Sequence, residues 1–472
     1  MKRPKKIAIS SVISTLVIAT LSLSVSAKNN TQKVLPDLPF PVTANATLVL
    51  EPSNHTEEQS SSATVLTFLG LTENSEKKLE LVEIGAQFPK LTMVSTQSVR
   101  EKNSDQTSEQ KDATPRFTLN LDIIPDTELS TQPPSEQSIS TDFEDSVNQP
   151  DSNTAANVEA NDASIANDIV ELKQQEFKGS DWQPLPVVPS LNKFKGRFAT
   201  AATQVNGIVY LLGGYSNNQV QRPAFTPNLQ NRSDFYAYDP ATQQYSLLED
   251  LPVAVDDTTL VTYRDRYIYA LSGWHKEGAV NLVQVFDTFK NEWFQASPLP
   301  INGVFGHAAG ILDNTILMCD GASMQQQFAT ASRLTINQRC LIGEIDVTNP
   351  SLITWQEWAH PGDSGRFRMA AISDVNTDQI CFVGGATELY NLNGMNAKGT
   401  AVEGTTEVWC YQASNRTWQI SDAPEPSYDH KSAFIFQNKV MTLGGRNKSG
   451  IISHAIVHKT FSNELIESPN SN

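Results

Sequence analysis

Positive charge is scarce in this 472-residue chain: 35 Lys and Arg stand against 52 Asp and Glu, a formal net charge of -17. A field of that sign repels DNA and anionic lipid, so recognition of either through overall charge is excluded. Long apolar runs are missing after the N-terminal stretch, and the 39% hydrophobic content is dispersed, which excludes a polytopic membrane protein. Cysteine is limited to four residues, no two at CxxC spacing, so a metal or redox site of that type is excluded. The seven histidines show no ligand-like spacing, and neither a metal nor a cofactor is read from the sequence. Residues 101–176 lack Gly, Trp and Cys altogether; they hold 17 acidic and four basic residues and two aromatics, Phe117 and Phe143. Such a stretch cannot bury enough apolar surface to offset its ordering entropy, and it reads as a disordered acidic insertion. Most of the charge excess lies there, so no acidic function is assigned to the rest.

What is present begins with an export signal. Lys2, Arg3, Lys5 and Lys6 precede an apolar stretch over 7–25, and Val25-Ser26-Ala27 is a small-x-small cleavage site. Residues 1–27 are expected to be a signal peptide, with an uncleaved anchor as the alternative. The mature chain would be periplasmic or secreted, without a membrane span after cleavage.

The remainder is repetitive. Five segments place an apolar strand directly before a small-residue pair: 208–214, 267–273, 315–321, 380–385 and 440–445. Measured at Gly214, Gly273, Gly321, Gly385 and Gly445, the spacings are 59, 48, 64 and 60. A second apolar strand precedes each, across a turn containing Asn206-Gly207, Asp265-Arg266, Asp313-Asn314, Asn376-Thr377-Asp378 or Asn438-Lys439. Such pairs favour tight hairpins. A third strand and an aromatic-led fourth strand ending near Pro complete units of about fifty residues, the size of a kelch-type propeller blade.

Trp182 to Pro186 is a fourth strand without a preceding unit. Upstream, 44–50 and 64–70 resemble first and second strands, and 79–84 is the candidate third. The last unit lacks a fourth strand, which 35–39 (LPDLP) would supply. The expected fold is therefore all-β, a six-bladed kelch-type β-propeller with the acidic insertion in blade 1; a five-bladed ring closed at Trp182 is the alternative. The division is 1–27 signal, 28–100 first propeller strands and ring-closing strand, 101–176 insertion, 177–460 kelch propeller, 461–472 tail. The strand reading favours two local disulfides, Cys319 with Cys340 and Cys381 with Cys410; four buried thiols are the alternative.

The order LPDLP, WQPLP, NGIVYLLGG, together with FVGGATELYNLNGMNAKGTAVEG at 382–404, resembles the bacterial N-acetylneuraminate epimerases (mutarotases), which are exported six-bladed kelch propellers. The resemblance implies isomerase activity on a sugar acid. It also implies a Glu directly after the pair Asp320-Gly321 and an Arg six residues later; this chain has Ala322 and Phe328 there. A copper oxidase of galactose oxidase type would need a free cysteine for a tyrosine cross-link, which the expected disulfides would not leave.

Strand order puts the loops after each second strand and the links between blades on one face. Three of these loops are long, 215–233, 322–339 and 386–405, and long loops on a rigid scaffold are where binding is expected. Residues just before each first strand should line the channel mouth on that face. Arg197, Arg366 and Arg368 are candidates to grip a carboxylate, and Trp274 to stack on a sugar. Asp257, His307 and His430 are the candidate acid and base groups for mutarotation. An Arg197–Asp257 pair between blades is the structural alternative. Asp320 is expected to serve turn geometry. The partners expected are a small sugar or sugar acid in the central funnel, or a protein docked on the long-loop face of a monomer.

Overall fold

The computed structural model describes residues 34–50, 62–73, 79–81, 84–92, 177–189, 194–218, 229–276, 278–328 and 331–461. The expected signal peptide, the acidic insertion and the tail beyond Phe461 lie outside the described residues. Six antiparallel sheets surround one axis. Blade 1 combines Ala46–Leu50, Ser62–Phe68, Ile84–Thr92 and Gln183–Val187. Blade 2 begins at Ala201–Val205, blade 3 at Thr259–Tyr263, blade 4 at Ala308–Leu312 and blade 5 at Ala370–Asp374, each with four strands. Blade 6 has three strands, Phe434–Phe436, Lys439–Leu443 and Ala455–Thr460.

The small-residue pairs have one geometric job. In every blade both members have positive φ: Leu69 57° and Gly70 123°, Gly213 59° and Gly214 92°, Ser272 55° and Gly273 119°, Asp320 65° and Gly321 81°, Gly384 63° and Gly385 92°, Gly444 71° and Gly445 96°. This double kink interrupts the second strand, after which the chain pairs again with the segment ahead of the first strand. Thr43↔Leu71, Tyr215↔Phe198, Asp256↔Trp274, Phe305↔Ala322, Phe367↔Ala386 and Tyr428↔Arg446 are the resulting six pairs. At Gly214 a side chain has no space, since an added Cβ would stand 2.4 Å from Thr200 Oγ1.

Beneath those pairs a circle of backbone hydrogen bonds runs from blade to blade. Ala199 donates to Ala44 O (3.1 Å), Asp257 to Ala199 O (3.3 Å), Gly306 to Asp257 O (2.9 Å), Arg368 to Gly306 O (2.7 Å), His430 to Arg368 O (3.2 Å) and Ala44 to Asp429 O (3.1 Å). The circle closes only with blade 1 included. The five-bladed alternative is thereby overturned.

Three expectations need correction. The third strand of blade 1 is Ile84–Thr92, not 79–84; it buries Ala86 and sets Phe88 against Trp182 at 5.4 Å, while Leu79–Leu81 pairs with Leu71–Glu73 in a side hairpin. Segment 35–39 forms no strand, because Pro36 and Pro39 lack the N–H donors a ladder needs. It still joins the two ends: Leu35 and Leu38 are buried with Trp182, Phe434 and Leu443, and Leu38 N donates to Ser453 O at 2.8 Å. Two hairpin turns centre one residue earlier than expected, with positive φ at Arg264 and Asp265 and at Gln437 and Asn438.

Both expected disulfides form, Cys319–Cys340 and Cys381–Cys410, each joining directly opposed residues on the second and third strands of blades 4 and 5. They suit an oxidising environment. Residues 93–176 fall between the third and fourth strands of blade 1. Thr92 lies opposite Ser62, so the insertion leaves from the tight-turn face, away from the long loops.

Candidate functional site

The kink residue ahead of each first strand is Ala44, Ala199, Asp257, Gly306, Arg368 or Asp429, all with positive φ. Three of them carry charge and converge on the axis. Arg368 donates from Nε to Asp257 Oδ2 at 2.8 Å, with Nη2 2.7 Å from the same oxygen, and from Nη1 to Asp429 Oδ1 at 3.2 Å. Lys431 of blade 6 reaches across the ring and donates to Asp257 Oδ1 at 3.1 Å. Thr43 Oγ1 donates to Asp429 Oδ2 at 2.6 Å and Tyr390 Oη to Asp429 Oδ1 at 3.1 Å. Blades 1, 3, 5 and 6 are thus tied through side chains at the centre.

Burial would raise Asp257, but Arg368 and Lys431 beside it hold it below the usual carboxylate range. Its neighbour Asp256 goes the other way: burial and the Asp257 charge push it up to about 8, with Asn231 Nδ2 donating to it at 2.7 Å. Burial would lower Arg368, yet Asp257 and Asp429 raise it well above an ordinary arginine. Burial, assisted by Lys431, drives His307 down to about 3 against the opposing effects of Asp257 and the Leu271 backbone. Burial also takes His430 down to about 4, with Nε2 2.9 Å from Ser427 Oγ. At neutral pH both imidazoles are therefore uncharged and shut from solvent.

The sequence-predicted residues divide accordingly. Asp257 and Arg368 meet; His307 and His430 lie buried near them. Arg197 and Arg366, expected to bind a ligand, instead turn from the axis to carboxylates of their own blades. Arg197 bonds Asp234 and lies 5.3 Å from the Tyr236 ring; Arg366 pairs with Glu407 at 2.5 Å and stacks on Trp409 at 3.3 Å. Each guanidinium clamps an acid-x-aromatic step of its own blade's third strand. The suggested Arg197–Asp257 pair is absent, since each has the other partners just named. Asp320 serves the turn as expected and also anchors its surroundings, accepting from Arg366 N and facing His360 Nε2, both at 2.8 Å.

Trp274 sits on the rim, edge-on to Phe305 at 4.9 Å. An aromatic chain continues from it: Phe305 to Phe367 at 5.3 Å, Phe367 to Tyr390 at 5.3 Å and Tyr390 to Tyr428 at 4.8 Å. Tyr390 belongs to the blade 5 loop, which crosses the mouth. Its Leu392 packs, as Tyr215 does, against the cluster of Ala44, Leu71, Phe198 and Ala199 on the far side. Tyr390, Leu392, Lys431 and Arg446 were missed from sequence. For Arg446 a signal existed, because it directly follows the blade 6 pair, in the register of Trp274 and Ala322.

Among the described residues no group of three or more His, Cys, Asp or Glu is placed to hold a metal, and no helix is long and apolar enough to cross a membrane. With all four cysteines in disulfides, none is left for a tyrosine cross-link.

A Kelch motif model matches residues 196–252, which contain blade 2. The fold is that of a kelch-type β-propeller. It is 20% identical to human Kelch domain-containing protein 1 over 273 residues, 51% of this chain and 59% of that protein. To human Kelch-like protein 33 it is 26% identical over 149 residues, 31% of this chain and 25% of that protein. The chain thus spans less than two thirds of the curated relatives it matches. The solved structure of YjhT aligns with TM-score 0.52 and 13% identity, covering 92% of this chain and 98% of that one. These likenesses carry the propeller fold, and a fold does not fix an activity.

Proposed function

We propose that this propeller is a non-catalytic binding module of an extracytoplasmic compartment, docking a protein partner on its long-loop face. The observation that supports it most is the closed mouth. Arg368 spends its donors on Asp257 and Asp429, so a ligand carboxylate would have to displace one of them. The imidazoles offered as acid and base are buried and weakly basic, and Ala322 stands where the epimerase pattern requires Glu.

What remains accessible is the rim. The hairpin Ala322–Phe328 with Ala331–Ile336 rises beside the short hairpin Trp274–His275 with Gly278–Ala279. Between them lies a groove of about 800 Å³ lined by Ala279, Val280, Asn281, Ile301 and Met324. Mixed apolar and amide surface on a rigid scaffold suits a protein partner. The described chain stops at Thr92 on the opposite face, and the acidic insertion that follows in sequence is assigned the role of a spacer.

A photo-cross-linking residue at Met324 or Met395, against one at Phe289 on the tight-turn face, tests this. Capture of one partner from the long-loop positions only, with Met324→Asp weakening the purified complex, is the expected result. Equal capture from Phe289, or none at positions 324 and 395, would overturn it.

A second reading, a sugar acid held in the funnel, is favoured by the gathering of Arg368, Lys431 and Arg446 near Asp257 and Asp429. It requires Leu392 and Tyr390 to leave the mouth first.

A further inference from the structure

Blade 6 stops one strand short. In blades 1 to 5 the third strand lies between a second and a fourth, whereas Ala455–Thr460 pairs only with Lys439–Leu443 among the described residues. Its outer N–H and C=O groups form an open edge, the kind at which a sheet accepts another strand.

The chain leaves that strand as it does in blade 5. There Ala413 N donates to Asp378 O at 3.0 Å, Ser414-Asn415 makes the turn, and the fourth strand Thr417–Ser427 begins four residues after Ala413. Asn415 Oδ1 fixes the turn by accepting from Thr417 N at 3.2 Å. In blade 6 Phe461 N donates to Asn438 O at 2.9 Å, and Phe461 is buried in a cluster with Ala433 and Val440. Ser462-Asn463 follows, and the fourth residue after Phe461 is Leu465. Leu465-Ile466 gives one apolar residue to each face of a strand, as Trp293-Phe294 does in blade 3.

The far end of the strand agrees. In blade 3, Glu292–Ala296 runs into Ser297-Pro298-Leu299-Pro300, where Leu299 N donates to Asn281 O at 2.9 Å. In blade 6 that sequence is split between the two ends of the chain. Ser468-Pro469 lies in the tail and Leu38-Pro39 near the start, with Leu38 N donating to Ser453 O at 2.8 Å in the place of Leu299. The residues before Leu38 do not take the edge themselves. Val34 and Leu35, which match Gln295 and Ala296 by position, belong to no strand, and Leu35 is buried with Trp182 instead.

We propose that residues 464–468 of the tail are the fourth strand of blade 6, laid antiparallel on Ala455–Thr460. The outer wall of that blade is then built from both chain ends, the tail as its ladder and Leu38 as the plug at its foot. The strand is independent of the docking function proposed above.

Hydrogen exchange read by mass spectrometry, on the protein from Lys28 and on the same protein ended after Phe461, tests this. The amides of 455–460 that face away from Lys439–Leu443 should exchange slowly in the full chain. Truncation should speed them about tenfold or more, the scale of one lost backbone hydrogen bond. Those of Val283–Asp287, held on both sides, are the internal reference and should not change. If both strands accelerate together, the truncated protein has lost its fold, and full-length Leu465→Pro and Ile466→Pro take its place. Neighbouring amides point to opposite sides of a strand, so one of the two must lose a ladder bond and speed exchange at 455–460. Exchange there that is fast in the full chain overturns the proposal. So does exchange that stays slow without the tail and in both proline variants, because another segment would then cover the edge. Either failure leaves docking on the long-loop face untouched.

Discussion

Arg368→Ala is the perturbation whose size the structure constrains best. The backbone N–H bond to Gly306 O and the positive φ of 53° are common to both residues, so the backbone contribution largely cancels. What disappears is the guanidinium between two buried carboxylates, with its stacking 4.9 Å from the Phe367 ring centroid. Removing one partner of a buried pair costs about 3–5 kcal/mol because the remaining charge is left uncompensated. Here Asp257 keeps Lys431, and Asp429 keeps Thr43 and Tyr390, which places the loss near the lower end, about 3 kcal/mol. Urea unfolding without reductant, followed by tryptophan fluorescence, reads it: with a slope of about 3 kcal/mol/M the midpoint should fall by about 1 M. Asp257→Asn removes the orphaned charge, so the same Arg368→Ala step in that background should cost about 1–2 kcal/mol less. A midpoint shift below about 0.3 M, or an equal penalty in both backgrounds, would refute the central network as the tie between blades.

Other consequences are smaller in scope. Asp256, raised to about 8, keeps a proton that the unfolded chain releases near its ordinary value, so its contribution falls as pH rises from about 4 to about 8. His307 and His430, lowered to about 3 and about 4, are neutral where unfolded histidine is charged; their contribution grows with pH and is complete above about 6.5. Melting temperature should therefore peak near pH 6.5 (about, from the ordinary histidine value), and Asp256→Asn should flatten the alkaline side; a melting temperature still rising at pH of about 8 would contradict this. The disulfides span 21 and 29 residues and should each contribute about 3 kcal/mol, with no thiol reactive until reductant is added; one labelled cysteine in the untreated protein counts against them. Gly445→Ala should destabilise more than Gly450→Ala: both have positive φ, but only at Gly445 would the new Cβ lie 2.3 Å from His430 Cε1, and equal melting shifts would refute that steric reason.

Five blades were legible because each kinks its second strand at the same place, leaving a small-residue signature 48 to 64 residues apart; the sixth was read from the fourth strand at Trp182 that lacked a preceding unit. The disulfides followed, since opposed positions on neighbouring strands place cysteines within reach. Blade 1 was harder: its third strand follows a side hairpin that breaks the spacing, and the prolines of 35–39 kept the expected closing strand from forming. At the site, position alone did not foretell which partner each arginine takes. Arg366 and Arg368 flank the same Phe367, yet one turns to Glu407 and Trp409 and the other to the axis. The acid-x-aromatic steps Asp234-Phe235-Tyr236 and Glu407-Val408-Trp409 carried the clue to the clamped arginines. Nothing in the repeat foretold Leu392, because the path of a loop between blades is fixed by the distant socket that receives it.

The claim on which the account turns is that the mouth is closed and catalytically silent. A proton NMR time course of freshly dissolved N-acetylneuraminate, with the purified mature protein, addresses it directly. Anomer equilibration at the buffer rate is the predicted result. Acceleration proportional to protein concentration would contradict the account, showing that the funnel opens and that its buried acids and imidazoles reach a sugar.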